Sequence, residues 1–224
     1  LSIMVSWGAA ELATRWKTRR EVVTAGALLV LAALLIGTTN QLSYWKNSIT
    51  LFEHTLAVTT NNAMAHDNLG SSLYHERKLE EALAHYREAL RISPNYWNAQ
   101  YNLGTTLHVQ GKLSEAVDHY SQALRLRPQS EKTHYNLGTA LHALGKVEDA
   151  VVQYKEALRL KPDYAEAHNN LGAAFQTQGK YDEAIEHFRM AIQIRGDYAE
   201  AKNNLTRTIQ LRQSAQVNSQ PTKP

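Results

Sequence analysis

The chain contains no cysteine, so it forms no disulfide bond and offers no thiol for catalysis or metal binding. An excess of charge of one sign is also missing, because the formal net charge is only +3 over 224 residues. Such a small charge does not by itself indicate a nucleic-acid-binding surface. No glycine-rich phosphate loop, nucleophile elbow or paired-carboxylate cleft is recognisable. We therefore predict no catalytic residue, no cofactor and no nucleic-acid partner for this chain.

Ten histidines suggest a metal site more than any other feature of the sequence. They include two sets that recur at one interval: His66, His134 and His168, and His85, His119 and His187. Members of one set should lie about one helix-pair width apart, well beyond the ~2 Å ligand shell of zinc. We therefore predict no metal site.

A repeated tripeptide dominates the rest of the sequence. Asn-Leu-Gly occurs four times at intervals of 34 residues between Asn68 and Gly172, and Asn204-Leu205 begins a fifth copy. A fixed period of this length indicates a repeat architecture. Apolar residues at helical spacing occur twice in each period, so each repeat is expected to form two helices that bury their apolar faces by stacking on neighbours.

Small residues and prolines recur at three further positions of the repeat. Glycine in the first helix and alanine in the second are expected to let the two helices approach closely, and proline is expected to end the second helix. These positions are Gly70, Gly104, Gly138 and Gly172; Ala82, Ala116, Ala150 and Ala184; and Pro94, Pro128 and Pro162. Between the two helices, Gly111, Gly145 and Gly179 suit a positive φ, whereas the first copy has Arg77 there.

This pattern resembles the tetratricopeptide repeat (TPR), with Leu-Gly in the first helix, Ala and Tyr or Phe in the second, and a closing proline. The resemblance implies an all-α, right-handed solenoid of helical hairpins whose concave face is built from the first helices. We expect four repeats at 63–96, 97–130, 131–164 and 165–198. A capping helix at 199–213 and a disordered tail at 214–224 should follow them.

A long apolar run precedes the repeats. Residues 22–39 carry no charge, and the uncharged stretch continues to Trp45, which provides the ~20 residues needed to cross a bilayer core. We predict a transmembrane helix at 21–42; a cleaved signal peptide and a buried soluble helix are the alternatives. Four basic residues lie between positions 15 and 20, and only Lys46 lies close behind the run. The positive-inside rule then places the repeats on the extracytoplasmic side, in a bacterial periplasm or an equivalent lumen.

The segments that flank this run have separate interpretations. Residues 1–20 are expected to be the end of a preceding membrane helix and a basic cytoplasmic loop, and 43–62 a half-repeat. The stretch from Arg15 to Phe52 resembles that of membrane glycosyltransferase-like proteins with C-terminal TPRs, relatives of which include transmembrane O-mannosyltransferases. That resemblance implies a catalytic acidic residue in an earlier membrane loop, which nothing here matches. Any catalysis would belong to a larger parent protein.

One asparagine per repeat is expected on the concave face: Asn68, Asn102, Asn136, Asn170 and Asn204. Neighbouring first helices lie about 10 Å apart and an extended peptide advances ~3.3 Å per residue, so each repeat can address every third residue. Asparagine offers both a donor and an acceptor to a peptide backbone. The row resembles the asparagine ladder of O-linked N-acetylglucosamine transferases, which holds extended polypeptide. In the other interpretation, each asparagine bonds to the neighbouring repeat. Both stay open.

Polar and aromatic side chains should surround this row, namely Tyr101, Tyr135, Asn169, His108 and His142. The resemblance to TPR proteins implies that a clamp for a C-terminal carboxylate needs lysine and arginine on this face, and only Lys132 and Arg207 approach that role. A sequence-tolerant peptide or glycan groove is therefore favoured. The sequence predicts a membrane-anchored, non-catalytic scaffold that binds a polypeptide partner or substrate. The alternatives are the repeat portion of a protein O-glycosyltransferase and a soluble co-chaperone adaptor.

Overall fold

The computed structural model describes residues 15–17, 19–20, 24, 26, 28–38 and 45–218. The chain divides into two compact units, Leu1–Ala57 and Val58–Pro224, and each is considered separately. Regular secondary structure in the described residues is helical throughout.

In the first unit, residues 28–38 are helical, and the large apolar side chains from Leu28 to Ile36 are 60–73% exposed. Helix α1 spans Ser48–Val58, and the Asn47 side chain accepts a hydrogen bond from the Thr50 backbone nitrogen at 2.9 Å. No helix of the described residues combines the length and the apolar content that a bilayer crossing requires. Within the predicted span at 21–42, residues 21–23, 25, 27 and 39–42 lie outside the described residues, as do 1–14 and 18 of the predicted opening segment.

The second unit is built from four consecutive helix pairs and one final helix. The pairs are α2 (Ala63–His75) with α3 (Leu79–Ile92), α4 (Trp97–Val109) with α5 (Leu113–Leu126), α6 (Glu131–Ala143) with α7 (Val147–Leu160), and α8 (Ala165–Thr177) with α9 (Tyr181–Ile194). Helix α10 (Ala199–Asn218) closes the unit. Each pair packs against the next, so the predicted all-α solenoid of helical hairpins is confirmed.

A buried ring of the second helix lies on the glycine of the first helix in every pair. These contacts are Gly70 with Tyr86, Gly104 with Tyr120, Gly138 with Tyr154 and Gly172 with Phe188. A Cβ on any of the four glycines would come within 2.7–2.9 Å of the ring. The recurrent alanines of the second helices, Ala82, Ala116, Ala150 and Ala184, are fully buried. The glycines therefore make room for an aromatic ring as well as for a close helix approach.

The turns inside the pairs follow the sequence pattern. Gly111, Gly145 and Gly179 have φ values of 76°, 75° and 73°. Arg77 adopts the same left-handed conformation in the first pair, with φ of 63°. The fold thus imposes one turn geometry on all four pairs, although only three of them have the residue that adopts it most easily.

Each second helix ends two residues before the position of the recurrent proline. Helices α3, α5 and α7 end at Ile92, Leu126 and Leu160, ahead of Pro94, Pro128 and Pro162. Helix α9 ends at the equivalent Ile194, although Gly196 stands in place of proline. The end of this helix is therefore set by the repeat architecture and not by proline alone.

The final helix is longer than its sequence pattern predicts. It continues to Asn218, five residues beyond the expected end at Gln213 and into the segment 214–224 that we expected to be disordered. No glycine or proline occurs within α10, and the Ser214 hydroxyl donates to the Gln210 carbonyl at 3.0 Å. Without a helix-breaking residue, the backbone hydrogen-bonding pattern simply continues.

The curvature of the solenoid follows from which helices touch. The first helices of neighbouring pairs (α2, α4, α6 and α8, followed by α10) contact one another, whereas no second helix contacts the next second helix within the described unit. The first helices are therefore closer together than the second helices. They line the inner, concave side.

Candidate functional site

Four asparagines of the row, all except Asn68, donate a hydrogen bond to the first helix one repeat earlier. The Nδ2 atoms of Asn102, Asn136, Asn170 and Asn204 donate to Asp67 Oδ1 (2.9 Å), the Tyr101 hydroxyl (3.0 Å), the Tyr135 hydroxyl (3.1 Å) and Asn169 Oδ1 (3.0 Å). Each acceptor lies 35 residues before its donor. The asparagine row therefore joins neighbouring repeats, as the second of the two sequence-based interpretations expects. Direct contact of this row with a peptide stays a prediction.

The N-terminal end of the row differs from the rest. Among the described residues no helix pair precedes α2, and Asn68 there does not make the bond that the other four asparagines make. Asp67, which accepts the first bond of the row from Asn102, is buried, with only 5% of its surface exposed. Burial raises the pKa of Asp67, and hydrogen bonds from Asn102 and Tyr96 partly oppose that rise.

Two tyrosines occupy equivalent places on the concave side of the middle repeats. Tyr101 and Tyr135 are half-buried, and their rings lie 6.1 Å and 6.2 Å from the buried rings of Tyr120 and Tyr154. Burial is the main reason that the pKa of both hydroxyls is raised, so both stay protonated at neutral pH. Because Asn136 and Asn170 are the donors in the inter-repeat bonds, the tyrosine hydroxyl hydrogens are not used in them.

A further group of tyrosines on this side was missed in the sequence analysis. Tyr96, Tyr164 and Tyr198 each directly precede a first helix, at multiples of the 34-residue period, and this spacing was the available signal. The Tyr164 ring lies 4.9 Å from that of Tyr135. Burial, followed by the nearby Glu200 carboxylate, raises the pKa of Tyr198 to about 12.

Cations of the protein already lie over two of these rings. Lys161 Nζ is 4.9 Å from the centre of the Tyr164 ring, and the Arg195 guanidinium is 4.3 Å from that of Tyr198. Arg195 also forms an ion pair with Glu166. These contacts fix the tyrosines at the C-terminal half of the concave side.

A cavity of about 410 Å³ opens at the N-terminal half of the same side. Its lining is rich in hydroxyl groups and contains one cation: Ser71, Tyr74, His75, Tyr86, Tyr101, Asn102, Thr105, Thr106 and Lys132. The volume is in the range of sites that hold small ligands or parts of larger ones. The cavity joins three first helices, so a ligand in it would contact three consecutive repeats.

The other predicted site residues have different surroundings. Asn169 is 1% exposed, donates to Glu200 Oε1 at 3.0 Å and accepts from Asn204, so its predicted place in the open groove is corrected to a buried, structural one. His108 and His142 are half-buried, and burial lowers the pKa of both. Both imidazoles are therefore neutral at neutral pH.

Histidine and glutamine form one polar pair inside each repeat, between its two helices. The pairs are His66 with His85 (3.0 Å), Gln100 with His119 (2.8 Å), His134 with Gln153 (2.8 Å) and His168 with His187 (3.0 Å). The two partners of a pair are always 19 residues apart. The sequence contains this spacing, but it relates the repeat position of the first histidine set to that of the second and not two members of the same set. Among the described residues, no three His, Cys, Asp or Glu side chains come together as a metal site would require.

The hydrogen bonds of the fourth pair define its protonation. His168 Nε2 lies 3.0 Å from the Pro162 carbonyl oxygen, so this nitrogen donates, and Nδ1 is left to accept from His187 Nδ1. Burial is the main cause that lowers the pKa of both histidines, and for His187 the neighbouring His168 lowers it further. The pair is thus arranged for two neutral rings.

Comparison with protein families agrees with this architecture. A family profile described as TPR repeat matches residues 70–111, 106–145 and 138–179, and one described as tetratricopeptide repeat matches 165–198. Together they cover residues 70–198, more than half of the chain. The chain belongs to the tetratricopeptide repeat family. No curated protein matches this TPR chain.

Several solved structures resemble the chain. YrrB, described as a TPR protein with an unusual peptide-binding site, is 26% identical with a TM-score of 0.66, over 75% of this chain and 85% of YrrB. MamA is 23% identical with a TM-score of 0.63, over 69% and 86% of the two chains, and shows the fold alone. The first TPR of Spaghetti (RPAP3), bound to the HSP90 peptide SRMEEVD, is 25% identical with a TM-score of 0.50, over 51% and 90%.

Proposed function

We propose that this TPR chain is a scaffold that binds a segment of another polypeptide on its concave side. The observation that carries the proposal is the pair of equivalent tyrosines, Tyr101 and Tyr135, whose oxygens are held by Asn136 and Asn170. This arrangement places aromatic faces and hydroxyl donors on neighbouring first helices. The peptide-binding site described for YrrB and the peptide bound to Spaghetti give further support.

Binding can be tested on the full chain in detergent micelles. A random peptide library is selected against it, and the affinity of the best peptide is measured by fluorescence anisotropy. We expect the double variant Tyr101→Ala/Tyr135→Ala to bind at least about tenfold more weakly, because buried tyrosines dominate such interfaces. Tyr181→Ala, which removes a half-buried tyrosine from second helix α9, is the matched control and should bind normally. Equal affinity of all three proteins contradicts the proposal.

We further propose that the chain is anchored in a membrane with its repeats on the extracytoplasmic side. The uncharged run at 22–39 and the four basic residues between 15 and 20 support this proposal. A single cysteine at Ser93, in a chain without cysteine, reports the topology. A membrane-impermeant maleimide should label Ser93→Cys on intact cells, whereas labelling only after lysis contradicts the orientation and favours the co-chaperone alternative.

A role within a protein O-glycosyltransferase is the second candidate, with the repeats presenting a polypeptide to a membrane catalytic domain. It rests on the resemblance of the stretch from Arg15 to Phe52. The parent gene provides the test, because this role requires further spans and an acidic residue in an early extracytoplasmic loop upstream. A parent protein without them excludes this role and leaves the scaffold function in place.

A further inference from the structure

The tyrosines on the concave side repeat with the spacing of the repeats themselves. Tyr101 and Tyr135 occupy the same position in successive first helices. Tyr164 adds a second ring 4.9 Å from Tyr135, and Tyr74 adds one beside Tyr101 in the wall of the 410 Å³ cavity. The rings of Tyr101 and Tyr135 therefore recur on the concave side at an interval of one helix-pair width, and Tyr164, covered by Lys161, supports Tyr135 from the side.

This interval distinguishes two conformations of a bound peptide. Neighbouring first helices lie about 10 Å apart, and a polyproline II helix completes one turn in three residues, or ~9.3 Å. Every third residue of such a helix therefore presents the same face to each successive repeat. In a β-strand successive side chains point to opposite faces, so two residues that are three apart also point to opposite faces. With three ligand residues per repeat, a strand would present the same face only to every second repeat.

The hydrogen bonds of the site favour the same conformation. Tyr101 and Tyr135 accept from Asn136 and Asn170. A ligand carbonyl therefore competes only with the side chains of Thr105 and Thr139 for the two tyrosine hydroxyl hydrogens. A polyproline II backbone has no internal hydrogen bonds, so its carbonyl groups need donors. Proline brings no N–H group and needs no acceptor in return.

We propose that the concave side selects proline-rich segments in the polyproline II conformation, with about three ligand residues per repeat. This inference rests on the peptide-binding function proposed above and names its ligand class. Aromatic-lined grooves suit such ligands because the polyproline II helix is preformed and loses little entropy on binding. Lys132 is the one cation among the cavity residues, so charge plays a minor part in this selection.

Three labelled peptides of equal length test the inference on the full chain in micelles. One has proline at two of every three positions, the second has alanine in place of each proline, and the third alternates threonine and valine to favour a β-strand. We expect the proline-rich peptide to bind about tenfold more tightly than the other two, since it is already in the bound conformation. Its affinity should also rise as three residues at a time are added, up to roughly twelve residues.

Hydroxyl deletion tests the proposed donors without removing the rings. Tyr101→Phe/Tyr135→Phe should weaken binding of the proline-rich peptide by roughly three- to tenfold, because two hydrogen bonds are lost. Tyr181→Phe is the matched control and should bind normally. The melting temperature of each variant, followed by circular dichroism, shows whether it is folded.

The outcomes separate this inference from the proposed function. If the alanine or the threonine–valine peptide binds as tightly as the proline-rich one, the selectivity for polyproline II is overturned and peptide binding stands. The same conclusion follows if none of the three binds but the library-selected peptide does. If neither these peptides nor any library peptide binds, both the inference and the proposed function fail.

Discussion

At the scale of single residues, the aromatic ring packed on the glycine of each first helix leaves no room for a side chain at that position. In Gly138→Ala the new Cβ would lie 2.8 Å from the Tyr154 ring and 3.3 Å from the Ala150 carbonyl oxygen. Overpacking of this kind costs ~1–3 kcal/mol, which outweighs the gain in helix propensity of at most ~1 kcal/mol. We expect a net loss of about 1 kcal/mol in the free energy of unfolding, measured in urea.

Gly196→Ala is the matched control, because a Cβ there meets nothing within 4 Å and the backbone is not left-handed. It should change the free energy of unfolding by less than about 0.5 kcal/mol. Equal stability of the two variants would show that the Tyr154 ring moves aside at no cost.

The histidine pair of the fourth repeat should make the protein less stable in acid. Folding lowers the pKa of His168 and His187 below the ordinary value of about 6.5, so the unfolded chain binds more protons just below that pH. Stability is therefore lost as the pH falls from about 6.5 towards the folded pKa values. The charged groups near His187 oppose one another, since Glu186 raises its pKa and Lys155 lowers it.

His187→Gln reproduces the pair that the third repeat already has, His134 with Gln153. We expect its urea midpoint to fall less than that of the unchanged protein between about pH 7.5 and about pH 5.5, because one titrating group has been removed. Parallel curves for the two proteins would rule out a contribution of His187 to acid sensitivity.

The contact partners of these residues could not be predicted from the sequence. The recurrence of Asn, Gly and His was visible, but their partners lie 35, 16 or 19 residues away on other helices. A repeat period fixes which residues are equivalent. It does not fix which side chains of different helices meet, because that depends on the angle at which the helices pack.

At the scale of elements, the turn of the first repeat carries strain that the other repeats avoid. Arg77 is left-handed at φ 63°, whereas the equivalent residues are glycines. The left-handed conformation costs an ordinary residue roughly 1–2 kcal/mol, and glycine adopts it freely at some entropic cost in the unfolded chain. Arg77→Gly should therefore raise the free energy of unfolding by about 0.5–1 kcal/mol in urea titration.

The reverse change at an equivalent turn, Gly145→Arg, should lower the free energy of unfolding by about 1 kcal/mol. Nothing lies within 4 Å of a Cβ at Gly145, so this cost comes from the backbone and not from a clash. A stabilised Gly145→Arg variant would contradict this explanation.

Helix α10 covers the last helix pair. Ala201 and Thr208 are fully buried, and Thr208 accepts a hydrogen bond from Gln176 at 2.8 Å. Truncation after Tyr198 should lower the urea midpoint markedly, since solenoids need a cap. Truncation after Gln213 removes exposed Ser214, Ala215 and Gln216 and should cost less than about 0.5 kcal/mol. Similar losses for both truncations would mean that the extension beyond Gln213 contributes to the cap.

The existence and order of the repeat helices could be predicted because the apolar spacing agrees in every copy, and the turn glycine and the closing proline each occur in three of the four copies. The end of α10 could not be predicted, because the polar, proline-containing composition of residues 214–224 is typical of a disordered tail. A polar segment without glycine or proline continues a helix that is already nucleated.

At the scale of the whole molecule, the concave side is a product of stacking. The first helices approach one another more closely than the second helices, and this brings tyrosines of successive repeats into one row. The sequence predicted that Tyr101 and Tyr135 lie on the concave side, but it also predicted an open position on that side for Asn169, which is buried. Burial between repeats depends on the neighbouring side chains, here Glu200 and Asn204, which the period alone does not reveal.

Photo-crosslinking tests most directly whether the concave side is the binding surface. Benzoylphenylalanine is placed at half-buried His108 on the concave side or at Val152, which is 60% exposed on second helix α7. The library-selected peptide is then added and irradiated. Our account predicts a crosslink from position 108 and none from position 152. A crosslink from position 152 alone would contradict binding on the concave side.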